Sequence, residues 1–274
     1  MKKFPTVFLT LLFPVFLFAV EQNLIVSNAF SAVTNIDFDL SYEDITLENI
    51  YGDEILLEIY SNDNHKIPQI NQQEETISLT SAKISKLYSS DYCHIKVYIP
   101  YELQLSNLRI STLSGKIDFH KISAEEISFK TKEGKIQGQN LLAISNISIQ
   151  SEKGNIDINA VTSETVSGTS TNGSIYFSLL KADYFDFLST KGLIEINLQS
   201  PPKASSYVKT KTGDIEISIQ EKSGFDLIVF STNGIFKDEI NNSRFSPRNI
   251  YQNSYFGGGA ELHISSFSGN VLLK

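Results

Sequence analysis

The 274-residue sequence contains one cysteine, one methionine and no tryptophan. A single thiol, Cys93, cannot form an intramolecular disulfide, so a disulfide-bonded scaffold is excluded. Positive charge is also scarce, with 23 Lys and Arg against 31 Asp and Glu and a formal charge of −8. Binding to nucleic acid requires clustered cations that neutralise phosphates, and this composition argues against it.

What the sequence does contain points to a β protein with a substantial core. Apolar residues make up 41% of the chain and charged residues 20%, which excludes intrinsic disorder. There are 15 Gly and only seven Pro, and Ile, Phe, Ser, Thr and Asn are abundant, a composition typical of strands and turns. The length allows one large or two small domains.

The N-terminus has the features of a secretory signal peptide. Met1-Lys2-Lys3 is followed by an apolar run over residues 4–18 and by Ala19 before a polar segment. We therefore predict a signal peptide over residues 1–19 and export to the periplasm, the cell surface or the medium. A retained N-terminal anchor is the alternative, because Leu17 is bulky for its place before the cut. No later stretch is apolar enough to span a bilayer, and the charge becomes −10 after cleavage.

Short clusters that end in glycine recur along the second half of the chain. Successive glycines are 19, 20, 19, 19, 21 and 21 residues apart, and the last step is 35 residues. A fixed period of this length is the signature of a repeat architecture. The glycines, which we interpret as the corners of the repeat, are Gly115, Gly134, Gly154, Gly173, Gly192, Gly213, Gly234 and Gly269.

The residues around each glycine keep their chemistry from repeat to repeat. A hydroxyl side chain stands three residues before each glycine, and apolar residues stand two and four residues after it, with Gly138 and Asp238 as exceptions in the second apolar column. The residue between them is mainly polar. This period of two predicts a half-buried strand after each glycine. The first apolar column is Ile117, Ile136, Ile156, Ile175, Ile194, Ile215, Phe236 and Val271.

Two strands in about 20 residues, with the columns preserved, predict an all-β fold built as a β-solenoid. One repeat cannot bury its own apolar side chains, whereas stacked repeats cover one another and share a continuous core. An antiparallel sandwich is the competing fold, but it has no reason to repeat the same columns at a near-constant spacing.

The segments on either side of the repeats are less regular. We predict an N-terminal β cap lobe over residues 20–110 and solenoid coils over residues 111–274, with an insertion at residues 237–260 and a C-terminal closing unit. The lobe and the insertion are expected to cover the open ends of the stack, which would otherwise present unpaired strand edges.

The order of these parts resembles the DUF4097 family, often labelled "putative adhesin". The similar motifs are a strand–turn–strand around Gly52, a Val-Tyr-Ile-Pro step at residues 97–100, and Thr-x-Ser-Gly-x-Ile coils at residues 112–117, 210–215 and 266–271. The resemblance covers nearly the whole mature chain and implies the solenoid fold. It also implies an envelope or surface binding role and brings no catalytic residues.

Catalytic and metal-binding motifs are scarce. The histidines His65, His94, His120 and His263 lack the spacing of a zinc site. Cys93 lies in a strand pattern typical of a buried thiol. The run of three glycines at residues 257–259 precedes a strand, so it does not place a phosphate at a helix N-terminus. We therefore predict no cofactor and no metal.

One enzyme hypothesis rests on the polar column after the glycines. Glu195 and Glu216 lie on neighbouring coils, with Asp157 two coils before Glu195. Adjacent outward carboxylates could act as the acid/base pair of a glycan hydrolase or lyase, or bind calcium. A solvated strand face is the simpler interpretation, because the same column also holds Gln137 and Tyr176.

A binding role is the main functional prediction. Lysines before the corners favour a solubilising edge over a groove for an anionic polymer: Lys130, Lys132, Lys153, Lys191, Lys209 and Lys211. Aromatic side chains are the candidates for exposed contacts: Tyr176, Tyr184, Tyr207, Tyr251, Tyr255 and Phe256. We predict an exported, non-enzymatic envelope protein with a structural or adhesion-type role, whose partner is an extracellular glycan or an envelope protein.

Overall fold

The computed structural model describes residues 23–63, 66–82, 92–245 and 250–274. The predicted signal peptide and His65 lie outside these ranges. Within them, 21 strands join in one continuous hydrogen-bonded sheet, and the described ranges contain no α-helix. The predicted all-β solenoid is confirmed.

The centre of the stack consists of parallel strands with equivalent residues in register. Ile117, Ile136, Ile156 and Ile175 are successive partners along it. The register therefore reproduces the columns that the sequence repeats predict. The central strands are β8 (Asn107–Thr112), β9 (Ile117–Thr131), β10 (Ile136–Ser151), β11 (Ile156–Ser170) and β12 (Ile175–Lys191).

Each rung of the stack is a strand, a glycine corner and a second strand. We call the side formed by strands before the corners the upstream face, and the side formed by strands after them the downstream face. The long strands β9–β12 cross from the downstream face of one rung to the upstream face of the next. In β9 and β10 the bend falls at Lys121 and Asn140, whose φ angles are 54° and 55°.

The last rungs use separate strands for the two faces, and their order in space differs from their order in the chain. β20 pairs in parallel with both β14 and β16, and β21 pairs with both β15 and β17. The Gly269 rung therefore lies between the Gly213 and Gly234 rungs. These strands are β13 (Ile194–Leu198), β14 (Ser206–Thr212), β15 (Ile215–Ile219), β16 (Phe225–Asn233), β17 (Phe236–Asp238), β20 (Glu261–Ser268) and β21 (Val271–Leu273).

The N-terminal end shows a similar insertion. β2 (Asn35–Asp39) pairs in parallel with β6 (Thr76–Thr80) and β8, and β3 (Asp44–Ile50) pairs in parallel with β7 (Cys93–Pro100) and β9. Antiparallel strands flank both ends of the stack. They are β1 (Leu24–Phe30), β4 (Ile55–Ser61) and β5 (Gln69–Gln73) at one end, and β18 (Ser243–Phe245) and β19 (Tyr251–Tyr255) at the other.

The core is the set of inward columns that these rungs share. Every member of the first apolar column is at most 1% exposed, and burying each isoleucine contributes about 1.5–3 kcal/mol. Gly138, an exception in the second column, leaves room for the ring of Phe119, because a Cβ at residue 138 would lie 2.5 Å from that ring. The ring of Phe119 thus fills the space that a side chain at residue 138 would occupy.

The glycine corners approach one another too closely for any side chain. A Cβ on Gly134 would lie 1.9 Å from the carbonyl oxygen of Gly115, and a Cβ on Gly154 would lie 1.8 Å from that of Gly134. The hydroxyl column supports some of these corners, since Thr131 Oγ1 accepts a hydrogen bond from the Gly134 amide at 2.9 Å. Ser151 Oγ has no partner among the described residues, so this support is not uniform.

Candidate functional site

Polar side chains form two parallel columns on the downstream face. Successive strands place equivalent residues side by side, so each column runs along the stack rather than along the chain. We call this surface the polar groove. Its first column is Asp118, Gln137, Asp157, Tyr176, Glu195 and Glu216, and its second is His120, Gln139, Asn159, Ser178, Asn197 and Ser218.

Two adjoining cavities follow these columns. A cavity of about 430 Å³ is lined by members of both columns from Asp118 to Ser178. A second cavity of about 250 Å³ is lined by Asp157, Tyr176, Ser178, Glu195 and Asn197. Because Asp157 and Ser178 line both, the two cavities form one elongated depression across several rungs.

The groove combines neutral hydrogen-bonding side chains with carboxylates, most of which are paired with lysines. The side-chain amides of Gln139 and Asn159 each offer a donor and an acceptor. Asp157 pairs with Lys135 at 3.0 Å, and Asp118 pairs with Lys116 at 2.6 Å. Tyr176 adds a half-buried aromatic ring. Such a surface can bind a hydroxyl-rich ligand without requiring the ligand to carry charge.

The two carboxylates of the enzyme hypothesis are neighbours, but of the two only Glu195 lines the smaller cavity described above. Glu195 and Glu216 are register partners on β13 and β15. Glu216 Oε1 is paired with Lys274 Nζ, whereas Glu195 faces the smaller cavity together with Asp157 and Tyr176. Asp157 and Glu195, two rungs apart, share the smaller cavity, and Asp118 and Asp157 share the larger one.

Comparison with known proteins identifies the family. A sequence profile of the Toastrack DUF4097 family matches residues 33–274. The chain belongs to the DUF4097 family. The resemblance inferred from the strand–turn–strand and Thr-x-Ser-Gly-x-Ile motifs is thereby confirmed. No curated protein sequence is significantly similar to this chain.

Crystal structures of three bacterial proteins are similar in fold to this DUF4097 protein. A "putative adhesin" from Bacteroides fragilis shares 18% identity over 92% of this chain and 97% of its own, with a TM-score of 0.55. A "putative lipid binding protein" from Parabacteroides distasonis shares 14% identity over 91% and 96% of the two chains, with a TM-score of 0.52. A "putative adhesin" from the same species shares 10% identity over 92% and 98%, with a TM-score of 0.50. At these identities the similarity shows the fold alone.

Cys93 and His94 lie next to each other at the start of β7. Cys93 is buried, and burial, followed by the charges of Glu43 and Asp44, raises the pKa of its thiol to about 12. His94 Nε2 lies 2.8 Å from Thr46 Oγ1, and burial lowers its pKa. Within the described ranges, His, Cys, Asp and Glu do not group in threes close enough to hold a metal ion. Nor does any helix there have the length and apolarity to cross a membrane.

The aromatic candidates of the DUF4097 chain divide into core and surface. Tyr255 is only 3% exposed and Tyr251 packs against Phe236, so these two belong to the C-terminal end of the core. Tyr176, Tyr184 and Tyr207 are half-buried on the faces, and Phe256 is exposed. Of these, only Tyr176 belongs to the polar groove.

Sequence reasoning missed a further cavity, of about 530 Å³, on the upstream face. It is lined by residues that include Asn35, Asn107, Arg109, Glu126 and Asn146. Asn107 Nδ2 donates to Asn35 Oδ1 at 2.9 Å although the residues are 72 positions apart. No local signal could have brought them together, because β2 enters the stack from outside the repeats.

Proposed function

We propose that this DUF4097 protein is an exported, non-enzymatic envelope protein that binds a glycan chain along the polar groove. The observation that carries the proposal is the in-register repetition of amide, hydroxyl and carboxylate side chains over six rungs. An extended polymer presents its own repeated hydroxyls, so a linear surface can contact several of its units at once.

The side chains of the groove match such a ligand. Sugar hydroxyls both donate and accept hydrogen bonds, and the amides of Gln137, Gln139 and Asn159 do the same. The half-exposed ring of Tyr176 offers an apolar surface to the C–H groups of a sugar ring. The N-terminal pattern over residues 1–19 supports export, and the adhesin descriptions of similarly folded proteins are consistent with an envelope role.

The experiment is a binding screen of cell-envelope polysaccharides with the full chain, followed by titration of each glycan bound. A triple Gln137→Ala/Gln139→Ala/Asn159→Ala variant should bind at least about tenfold more weakly, because it removes three amide contacts of about 0.5–1.5 kcal/mol each. The control is Ser148→Ala/Ser167→Ala, which changes the upstream face only. Equal binding by the groove variant and the wild type would contradict the proposal. Cell fractionation with cross-linking tests export in the same strain.

A glycan-cleaving enzyme is the second candidate, favoured by the cavity that Asp157 and Glu195 share. Incubation of the wild type with a broad glycan panel, with reducing-end release as the readout, tests it. Turnover that survives Glu195→Gln/Glu216→Gln would exclude the predicted carboxylate pair. Absence of turnover across the panel would leave the binding role.

A further inference from the structure

The upstream face changes character along the stack. Three outward columns lie six, four and two residues before each glycine. In the rungs of Gly134, Gly154 and Gly173 these columns are entirely polar or charged: Ser128, Lys130, Lys132, Ser148, Gln150, Glu152, Ser167, Thr169 and Thr171. In the next four rungs, half of the positions in the same columns carry apolar or aromatic side chains: Leu188, Tyr207, Ile228, Phe230, His263 and Phe267. The other positions hold Asp186, Thr190, Lys209, Lys211, Thr232 and Ser265. The C-terminal half of the upstream face is therefore more apolar than its N-terminal half.

Three apolar side chains protrude in these four rungs. Leu188 is 46% exposed, Phe230 is 44% exposed and Phe267 is 55% exposed. Leu188, Lys209, Ser265 and Phe230 are consecutive register partners, and Phe267 lies next to Lys211 on adjoining strands. We call Leu188, Lys209, Lys211, Phe230 and Phe267 the apolar–basic patch.

The lysines of the patch are positive charges on an acidic protein. Within the described part of the chain, neither Lys209 nor Lys211 forms an ion pair. Lys209 Nζ lies 4.5 Å from the ring centre of Tyr207, which stacks on His263. The nearby Glu261 lies with its Oε2 atom 2.8 Å from His263 Nε2. Asp186, the register partner of Tyr207, is the one acidic residue in these columns of the four rungs. The patch thus combines two lysines that form no ion pair among the described residues with exposed apolar surface, although the formal charge of the chain is −8.

We propose that this patch docks on a lipid bilayer that carries anionic headgroups. Phe230, Phe267 and Leu188 would enter the boundary between headgroups and acyl chains, while Lys209 and Lys211 contact the anionic headgroups. This function goes beyond glycan binding and uses the opposite face of the solenoid. It would hold the stack on its side against the membrane and leave the polar groove open.

The composition of the patch favours a bilayer over other partners. A second copy of the same patch would bring lysines against lysines, and like charges at an interface are repelled. An acidic polysaccharide would pair with the lysines but leave three apolar side chains in water. An anionic bilayer can pair with the lysines and bury the apolar side chains at the same time.

A site-specific fluorophore tests the contact directly. Because Cys93 is buried, an environment-sensitive dye will label the new thiol of Ser265→Cys in the folded full chain. Vesicles of phosphatidylcholine and phosphatidylglycerol should shift its emission to the blue and raise its intensity, as the dye enters the apolar region. The matched control is Gln150→Cys, in the same outward column on the polar half of the face, which should show no shift. The apolar segment at residues 4–18 is common to both proteins, so it cannot produce the difference.

Substitutions distinguish the lysine contacts from the apolar contacts. The measurement is the partition of the dye-labelled Ser265→Cys protein between water and vesicles. Lys209→Gln/Lys211→Gln should weaken the dye-reported binding about 30-fold, and added salt should weaken the wild type similarly. Lys130→Gln/Lys132→Gln is the control and should have little effect. Phe230→Ser/Phe267→Ser should abolish the blue shift.

Several outcomes would overturn the proposal. One is an identical dye response at residues 265 and 150. Another is binding to pure phosphatidylcholine that equals binding to the anionic vesicles. A dye response that appears without vesicles and grows with protein concentration would show that the patch is a self-association surface instead.

Discussion

Tyr255 donates a hydrogen bond of 2.6 Å from its hydroxyl to Oδ2 of Asp238, a carboxylate that is fully buried. Asp238 occupies an inward position that apolar residues fill in most other rungs, and Asn241 donates to both of its oxygens. Burial, followed by the bond to Asp238, raises the pKa of Tyr255. The exception in the apolar column is thus a buried polar network that ties β17 to β19.

Replacing Tyr255 with phenylalanine should destabilise the C-terminal end of the stack. The change leaves the ring in place but removes one donor from a buried carboxylate, which costs about 1–3 kcal/mol. Chemical denaturation of the wild type and Tyr255→Phe measures the difference. Tyr51→Phe is the control, because Tyr51 is 93% exposed. Equal midpoints for Tyr255→Phe and the wild type would show that the bond contributes nothing.

A methyl group at a glycine corner should prevent normal stacking. The Cβ of Gly134→Ala would lie 1.9 Å from the Gly115 carbonyl oxygen, so backbone must move, and we expect a loss of more than about 3 kcal/mol or an insoluble product. Lys132→Ala, an exposed change two residues away, should leave stability within about 0.5 kcal/mol. Soluble yield and the unfolding midpoint measure both variants. A Gly134→Ala protein as stable as the wild type would disprove the close approach.

The C-terminal strand should behave as part of the interior rather than as a loose end. Leu273 is fully buried and lies between Ile217 and Asp238 in the stack. Leu273→Asp places a second carboxylate beside the first and should abolish cooperative folding, because neither partner can supply a compensating charge. Leu272→Asp, one residue earlier and half-exposed, should fold. Circular dichroism and thermal melts distinguish the two, and local fraying alone in Leu273→Asp would contradict the inserted position.

Stability should fall at alkaline pH because of Cys93. Its pKa is about 12 in the folded chain against an ordinary value of 9.0, so the unfolded thiol loses its proton first. The contribution of the protonated Cys93 thiol to the free energy of unfolding is fully present below pH 9 and is lost as the pH rises towards 12. At pH 10 about 1.4 kcal/mol of stability is lost. Cys93→Ala should lower stability overall but flatten its decline from pH 8 to pH 10. Parallel pH profiles for the two proteins would contradict the assignment.

The sequence predicted the rungs well and the site only in part. The alternation after each glycine identified the inward isoleucines and, by the same rule, the first polar column with Asp157 and Glu195. It did not show that Lys274 would pair with Glu216, since the two residues are 58 positions apart and meet only across stacked strands. Likewise, the repeats did not predict that Leu188, Phe230 and Phe267 lie in one patch. The order of the repeats in the chain does not show that β20 lies between β14 and β16 in space.

The sequence alone determined what each rung contains, because the inward or outward direction of a side chain follows from the local period of two, and the corner follows from glycine spacing. Only the tertiary structure decided which rungs are neighbours. Backbone hydrogen bonds between parallel strands are alike for every pair of rungs, so a repeated pattern carries little information about stacking order. The Gly269 rung lies between Gly213 and Gly234 because long connections let the last strands return to the stack, where both sides of β20 and β21 find partners.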